Sequence, residues 1–99
     1  MTCSFFDYVI LLVVAEFEGT CRKANGDWKG MKGRIIDSYV PDPDNCLRRC
    51  MKESGATGCS HNNWVYICYL ETGEVSRGSG QKGGKCWKLG LKKGARNVE

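Results

Sequence analysis

Two cysteines four residues apart, Cys46 and Cys50, constrain this 99-residue chain more than any other feature. On a helix, side chains at i and i+4 lie on one face with their β-carbons about 6 Å apart, so both sulfurs face the same neighbouring element. Helical signals surround the pair. Asp42 suits the cap, Pro43 the first helical position and Asp44 the positive end of the helix dipole. Cys46, Leu47, Cys50 and Met51 form an apolar stripe, Arg48, Arg49, Lys52 and Glu53 point outward, and Gly55 supplies a stop. The spacing predicts a helix over 43–54, riveted by disulfides to whatever it packs on.

A chain of this length makes one small domain whose core is modest, so covalent staples carry part of the stability. Seven cysteines suit such a scaffold, and disulfide frameworks persist in oxidising compartments. The apolar run Val9–Ala15, with small residues at 13 and 15, reads as a signal peptide over 1–15 cleaved after Ala15. The competing reading is a buried N-terminal strand. Cleavage would remove Cys3 and leave an even six, Cys21, Cys46, Cys50, Cys59, Cys68 and Cys86. The apolar run is too short to span a bilayer. The predicted location is extracellular.

The formal charge is +4 and its bases are dispersed. Such a pattern is that of a solvated surface able to steer acidic partners, not a nucleic-acid footprint. Glycine breaks residues 20–42 into short extended pieces, the clearest being Arg34–Val40, ended by Pro41. An extended region from Cys59 to Leu70 follows the helix. Residues 73–84, rich in glycine, read as a mobile hairpin loop, Lys85–Leu89 as a returning strand and 92–99 as a flexible basic tail.

Several segments resemble the PAN/apple module of secreted and cell-surface proteins. They are Cys46-x3-Cys50, Gly58-Cys59-Ser60-His61-x2-Trp64-Val65, the closing Cys86-Trp87-Lys88-Leu89 and, upstream, Asp27-Trp28-x-Gly30. The likeness spans about residues 21–91, within a single domain set at 16–91. It implies an α+β fold in which a small antiparallel sheet, stapled by disulfides, cradles one α-helix. It also implies a non-catalytic role, binding an extracellular protein or carbohydrate for adhesion or recruitment. The alternative function is a cysteine-rich secreted effector, toxin-like or inhibitor-like, and an intracellular metal-binding protein is a third class.

The resemblance pairs Cys50 with Cys59, which closes a short turn-containing loop. Two arrangements remain for the other four cysteines. If 59–70 is one strand, Cys59 and Cys68 face opposite sides roughly 30 Å apart, and only Cys86 can return to the helix. That favours Cys46–Cys86 with Cys21–Cys68. A bend at His61-Asn62-Asn63 would instead permit Cys46–Cys68 with Cys21–Cys86.

No catalytic, metal or cofactor constellation stands out. His61, the one histidine, reads as a partly exposed strand residue, and zinc would need thiolates in close pairs. Ser60 adjoins His61 too closely for a triad, while Glu71 and Glu74 merely flank a loop. Trp28, Trp64 and Trp87 could stack on a sugar, but two or all three are expected in the core. The candidate ligand-binding residues are Arg48, Arg49 and Lys52 on the outer helical face, with Lys82, Lys85 and Lys88 on or beside the hairpin. An acidic protein or glycan would suit them.

Overall fold

The computed structural model describes residues 8–29, 31 and 33–94. In chain order the elements are β1 (Tyr8–Glu18), β2 (Cys21–Arg22), β3 (Arg34–Asp37), α1 (Pro43–Met51), β4 (Gly58–Asn62), β5 (Ile67–Glu71), β6 (Arg77–Gly78) and β7 (Gly84–Gly94). β1, β7, β4, β5 and β3 form one antiparallel sheet in that order, and β2 pairs with β6. The α+β class is as expected: an antiparallel sheet, one helix and three disulfides.

The helix begins where the sequence places it. Asp42 accepts a hydrogen bond from Asp44 N at 3.0 Å, and Pro43 opens the first turn. It ends at Met51, earlier than expected, because the chain tightens into a 3₁₀-like turn. Lys52 N donates to Arg49 O and Glu53 N to Cys50 O, after which Gly55 takes φ +81°.

The extended reading of 59–70 is corrected. Residues 63–66 form a turn, and β4 and β5 become a hairpin with Cys59 opposite Leu70 and His61 opposite Cys68. Cross-strand partners share a face. Cys59 and Cys68 therefore both face the helix. On the other side of β4, Cys59 is opposite Trp87 and Ser60 opposite Cys86, so Cys86 points away from the helix.

This parity decides the disulfides. The favoured Cys46–Cys86 and Cys21–Cys68 pairs do not form. The structure has Cys46–Cys68 and Cys50–Cys59 on the helix side, with Cys21–Cys86 on the reverse. A bend makes this nested arrangement possible, but it falls at residues 63–66 rather than at His61-Asn62-Asn63, since His61 and Asn62 stay in β4.

Each face has its own core. Helix-side packing gathers Val40, Cys46, Cys50, Cys59, Cys68, Leu70, Trp87 and Leu89; the reverse face holds Cys21, Met31, Val75 and Cys86, with Phe17 against them. Among the described residues, six of the thirteen buried apolar ones are half-cystines, so the staples stand where a larger domain would have aliphatic side chains. In the chain-entropy picture the loops closed contribute from about 3 kcal/mol for the shortest to about 4 kcal/mol for the longest.

Two further expectations are corrected. Residues 73–84 are not an unstructured hairpin: Val75 is buried, β6 pairs with β2, and Gly78 lies against the backbone of Glu18. β7 runs on to Gly94, past the expected start of the tail; residues 95–99 lie outside the described part. The extension pairs with β1, an edge strand that includes the apolar run 9–15 and exposes Leu12, Val13 and Val14. Residues 1–7, the rest of the segment read as a signal peptide, lie outside the described part.

Replacing Cys46 and Cys68 together by serine is expected to lower the unfolding free energy in urea by about 2–5 kcal/mol. The Cys21–Cys86 bond, on the other face, should still form and appear in the mass of the alkylated protein. An unchanged unfolding midpoint would show that the helix-side staple carries no stability.

Candidate ligand-binding groove

The sheet face opposite the helix carries a groove built around two exposed tryptophans. Trp64 sits in the β4–β5 turn, where Asn62 Oδ1 accepts from its backbone N at 2.9 Å. Its Nε1 donates to Lys82 O at 3.0 Å, so the edge of the indole is pinned while 73 % of the residue stays exposed. Gly83 makes this possible. It has φ +90°, and a β-carbon there would lie 1.9 Å from Trp64 Nε1.

Trp28 projects from the loop between β2 and β3 and is 62 % exposed. Lys23 N donates to Asp27 O at 2.7 Å, and Asp27 Oδ1 accepts from Lys29 N at 3.0 Å, which holds the Asp27 carboxyl below its usual range. The buried Met31 anchors the end of the loop, its carbonyl accepting from Thr72 N and Gly73 N.

A hollow of about 220 Å³ lies at Trp64 and one of about 590 Å³ at Trp28, Tyr69 and Glu71. Thr20, Asn62 and Gln81 line both, so the two are one continuous groove. Glu71 is its most unusual group. The residue is 7 % exposed and forms no ion pair among the described residues. Its Oε2 accepts from Ser60 Oγ at 3.0 Å, and Ser60 Oγ itself accepts from Cys21 N at 2.9 Å. Burial pushes the Glu71 carboxyl above its usual range, against the opposing pull of the Ser60 hydrogen bond and the Arg22 charge. The groove thus offers flat aromatic faces, carboxamides, one desolvated carboxylate and two bases, Arg22 and Lys82.

The bases singled out from the sequence are not brought into one patch. Arg48, Arg49 and Lys52 are exposed on the outer helical face, as expected, but Arg49 is paired with Asp37, whose carboxyl it lowers. Lys85 pairs with Glu16 at 2.6 Å, which raises the ammonium's pKa. Lys88, an odd number of residues further along β7, falls on the opposite sheet face and is half-buried. Lys82 is exposed at the rim of the groove.

Other expectations change too. Trp87 is buried at 3 %, but Trp28 and Trp64 are not core residues. His61 is fully buried rather than partly exposed. Glu71, read as a loop flank, ends a strand inside the groove. Its alternation with Tyr69, two residues earlier, was the available sign of a shared face. Among the described residues no cluster of three metal-ligating side chains occurs, and no helix is long and apolar enough to cross a membrane.

Gly83→Ala should displace the Trp64 indole and destabilise the fold by about 1 kcal/mol or more, since both the left-handed backbone and the space disfavour a β-carbon. Tryptophan emission and thermal unfolding report the two effects, and no change in either would contradict this role for Gly83. Compared with known protein families, curated proteins and solved structures, the chain matches none.

Proposed function

We propose that this chain is a secreted, non-catalytic binding module of the PAN/apple type that holds an uncharged carbohydrate in the tryptophan groove. The observation that carries this reading is the pair of indoles, exposed at 62 % and 73 %, at either end of a groove with a buried carboxylate. Burying those rings in a core would be favourable, and the local structure instead holds Trp64 out by a hydrogen bond and a glycine contact. A pyranose offers an apolar C–H face to such a ring, and its hydroxyls donate to carboxylates and carboxamides such as Glu71, Asn62 and Gln81.

Glu71 favours a ligand that supplies hydroxyl donors, while Arg22 and Lys82, which also line the groove, are the groups an anionic chain would have to use. Glycoside hydrolysis ordinarily uses two carboxylates on either side of the bond, and Glu71 lines the groove alone among the described residues, which favours binding over hydrolysis. Secretion is supported by the three disulfides, which suit an oxidising compartment. With cleavage after Ala15, Glu16, Phe17 and Glu18 would keep their pairing with Trp87, Cys86 and Lys85.

A second reading, a toxin-like or inhibitor-like effector or another protein-binding role, draws on a different observation. Tyr39 and Tyr66 form an exposed edge-to-face pair with ring centroids 5.6 Å apart, and Tyr66 holds φ +60°. Aromatic residues of this kind are frequent anchors at protein interfaces.

Titration calorimetry with neutral and sulfated oligosaccharides tests the carbohydrate reading. Neutral chains should bind with little salt dependence, and Trp28→Ala and Trp64→Ala should each weaken binding about three- to tenfold. Glu71→Gln should also weaken it, while stabilising the fold at neutral pH. The raised carboxyl pKa means that ionisation costs the folded state stability above that pKa, a penalty absent below the unfolded value. The gain in melting temperature should therefore vanish towards about pH 3. Binding only to sulfated chains, unaffected by either tryptophan change, would contradict the assignment.

A further inference from the structure

The loop that carries Trp28 contains the one Asn-Gly pair of the sequence, Asn25-Gly26. Asn25 is exposed in the turn between β2 and β3, and its Oδ1 accepts from Asp27 N at 2.9 Å. Gly26 has φ +88°, and a β-carbon there would find nothing within 4 Å, so the glycine stands in open space. Two backbone bonds close the loop. Gly26 N donates to Lys23 O at 2.8 Å, and Lys23 N donates to Asp27 O at 2.7 Å.

An asparagine carboxamide is an electrophile for the backbone nitrogen that follows it. Most residues at that next position shield their own nitrogen with a side chain and restrict the backbone angles that attack needs, and glycine does neither. The contact with Asp27 adds activation. During attack Asn25 Oδ1 takes up negative charge, and the Asp27 N–H is already a donor to it, in place before the charge develops. Arg22 and Lys23, whose charges act on the adjacent Asp27 carboxyl, set a positive field around the same loop. Asn62 supplies an internal comparison. Its Oδ1 accepts from Trp64 N in the same way, but it lies in β4, and the next nitrogen belongs to Asn63 and donates to Gly83 O at 2.6 Å.

We infer that Asn25 is a self-modification site, where the chain deamidates and, in forming isoaspartate, releases Trp28 from its place at the groove. Hydroxide or water takes the proton from Gly26 N, which gives up its bond to Lys23 O and attacks Asn25 Cγ. The new N–Cγ bond closes a succinimide, the Cγ–Nδ2 bond breaks, and ammonia leaves with a proton from water. Water then opens the ring at either carbonyl, giving aspartate or isoaspartate. Either product lowers the net charge of +4 by one. Isoaspartate also routes the main chain through the former side chain, one carbon longer. Asp27 N then loses its Oδ1 acceptor, and the pairing of Lys23 with Asp27 falls out of step. Trp28 comes next in sequence and loses the loop that positions it. The modification stands whatever the groove binds, and only its effect on affinity rests on the carbohydrate reading.

The test incubates the oxidised protein in mildly alkaline buffer beside a synthetic peptide of residues 24–29, the fragment that trypsin releases by cutting after Lys23 and Lys29. Peptide mapping should show a gain of about 1 Da in that fragment, split between aspartyl and isoaspartyl forms. Its rate should lie within about tenfold of the free peptide's, the strength of the one hydrogen bond that Gly26 N must give up. Asn25→Gln, whose longer side chain would have to close a larger ring, should stop the reaction, and Gly26→Ala should slow it severalfold. Ion exchange separates the products by their changed charge. The isoaspartyl protein should show a shifted Trp28 indole N–H resonance and weaker binding of neutral oligosaccharides. Asn25→Asp, which adds the charge without lengthening the chain, should keep the native resonance. Protection beyond about tenfold, or earlier modification at Asn62, would overturn the site. A native Trp28 resonance in the isoaspartyl protein would overturn its consequence. A shifted resonance in a protein that binds no oligosaccharide in either form would support the inference and count against the carbohydrate reading alone.

Discussion

β4 lies between β5 and β7 with a partner strand on each side, and its five side chains must alternate between two faces. That alternation organises the molecule. Cys59 and His61 turn to the helix, while Ser60 and Asn62 turn the other way. Because cross-strand partners share a face, the same parity passes to Cys68, Leu70 and Trp87 on one side, and to Tyr69, Glu71 and Cys86 on the other. A shift of one residue in this register would turn the β4 side chains to the wrong faces and carry Cys59 away from Cys50.

The two faces do different work as a result. The helix side is closed by two disulfides to one helix, and it packs Trp87 and Leu89 beneath them. The reverse side has a single disulfide and a small cluster around Met31 and Val75, so more of its surface remains open. There burial disfavours the Glu71 carboxylate, which Ser60 hydrogen-bonds and which forms no ion pair among the described residues. In the proposed function, that desolvation belongs to a ligand-binding surface.

The helix was legible because its signals are local: a cap, a proline, an acidic first turn and an apolar stripe, all within ten residues. The coarse α+β class was what the resemblance to the PAN/apple module implied, the cysteine pair being one of the motifs that carry it. The disulfide pairing was harder, since it depends on whether residues 59–70 form one strand or two. Asn62 and Asn63 marked the turn, but the strand-forming run Trp64–Tyr69 masked it. Tyr66 adopts φ +60°, a conformation its residue type does not advertise. The exposed tryptophans were misplaced for a related reason. Hydrophobicity alone assigns an indole to the core, and the contacts that hold Trp64 outward come from Lys82 and Gly83, far along the chain. The candidate lysines suffered from parity, since Lys85 and Lys88 are near neighbours in sequence on opposite faces of one strand.

The most direct test of this two-faced architecture is disulfide mapping of the oxidised protein, by proteolysis without reduction and mass spectrometry of the linked peptides. The account predicts three linkages, Cys21–Cys86, Cys46–Cys68 and Cys50–Cys59. Recovery of Cys46 linked to Cys86, or of Cys21 linked to Cys68, would contradict it, because no register that places Ser60 opposite Cys86 can bring those sulfurs together.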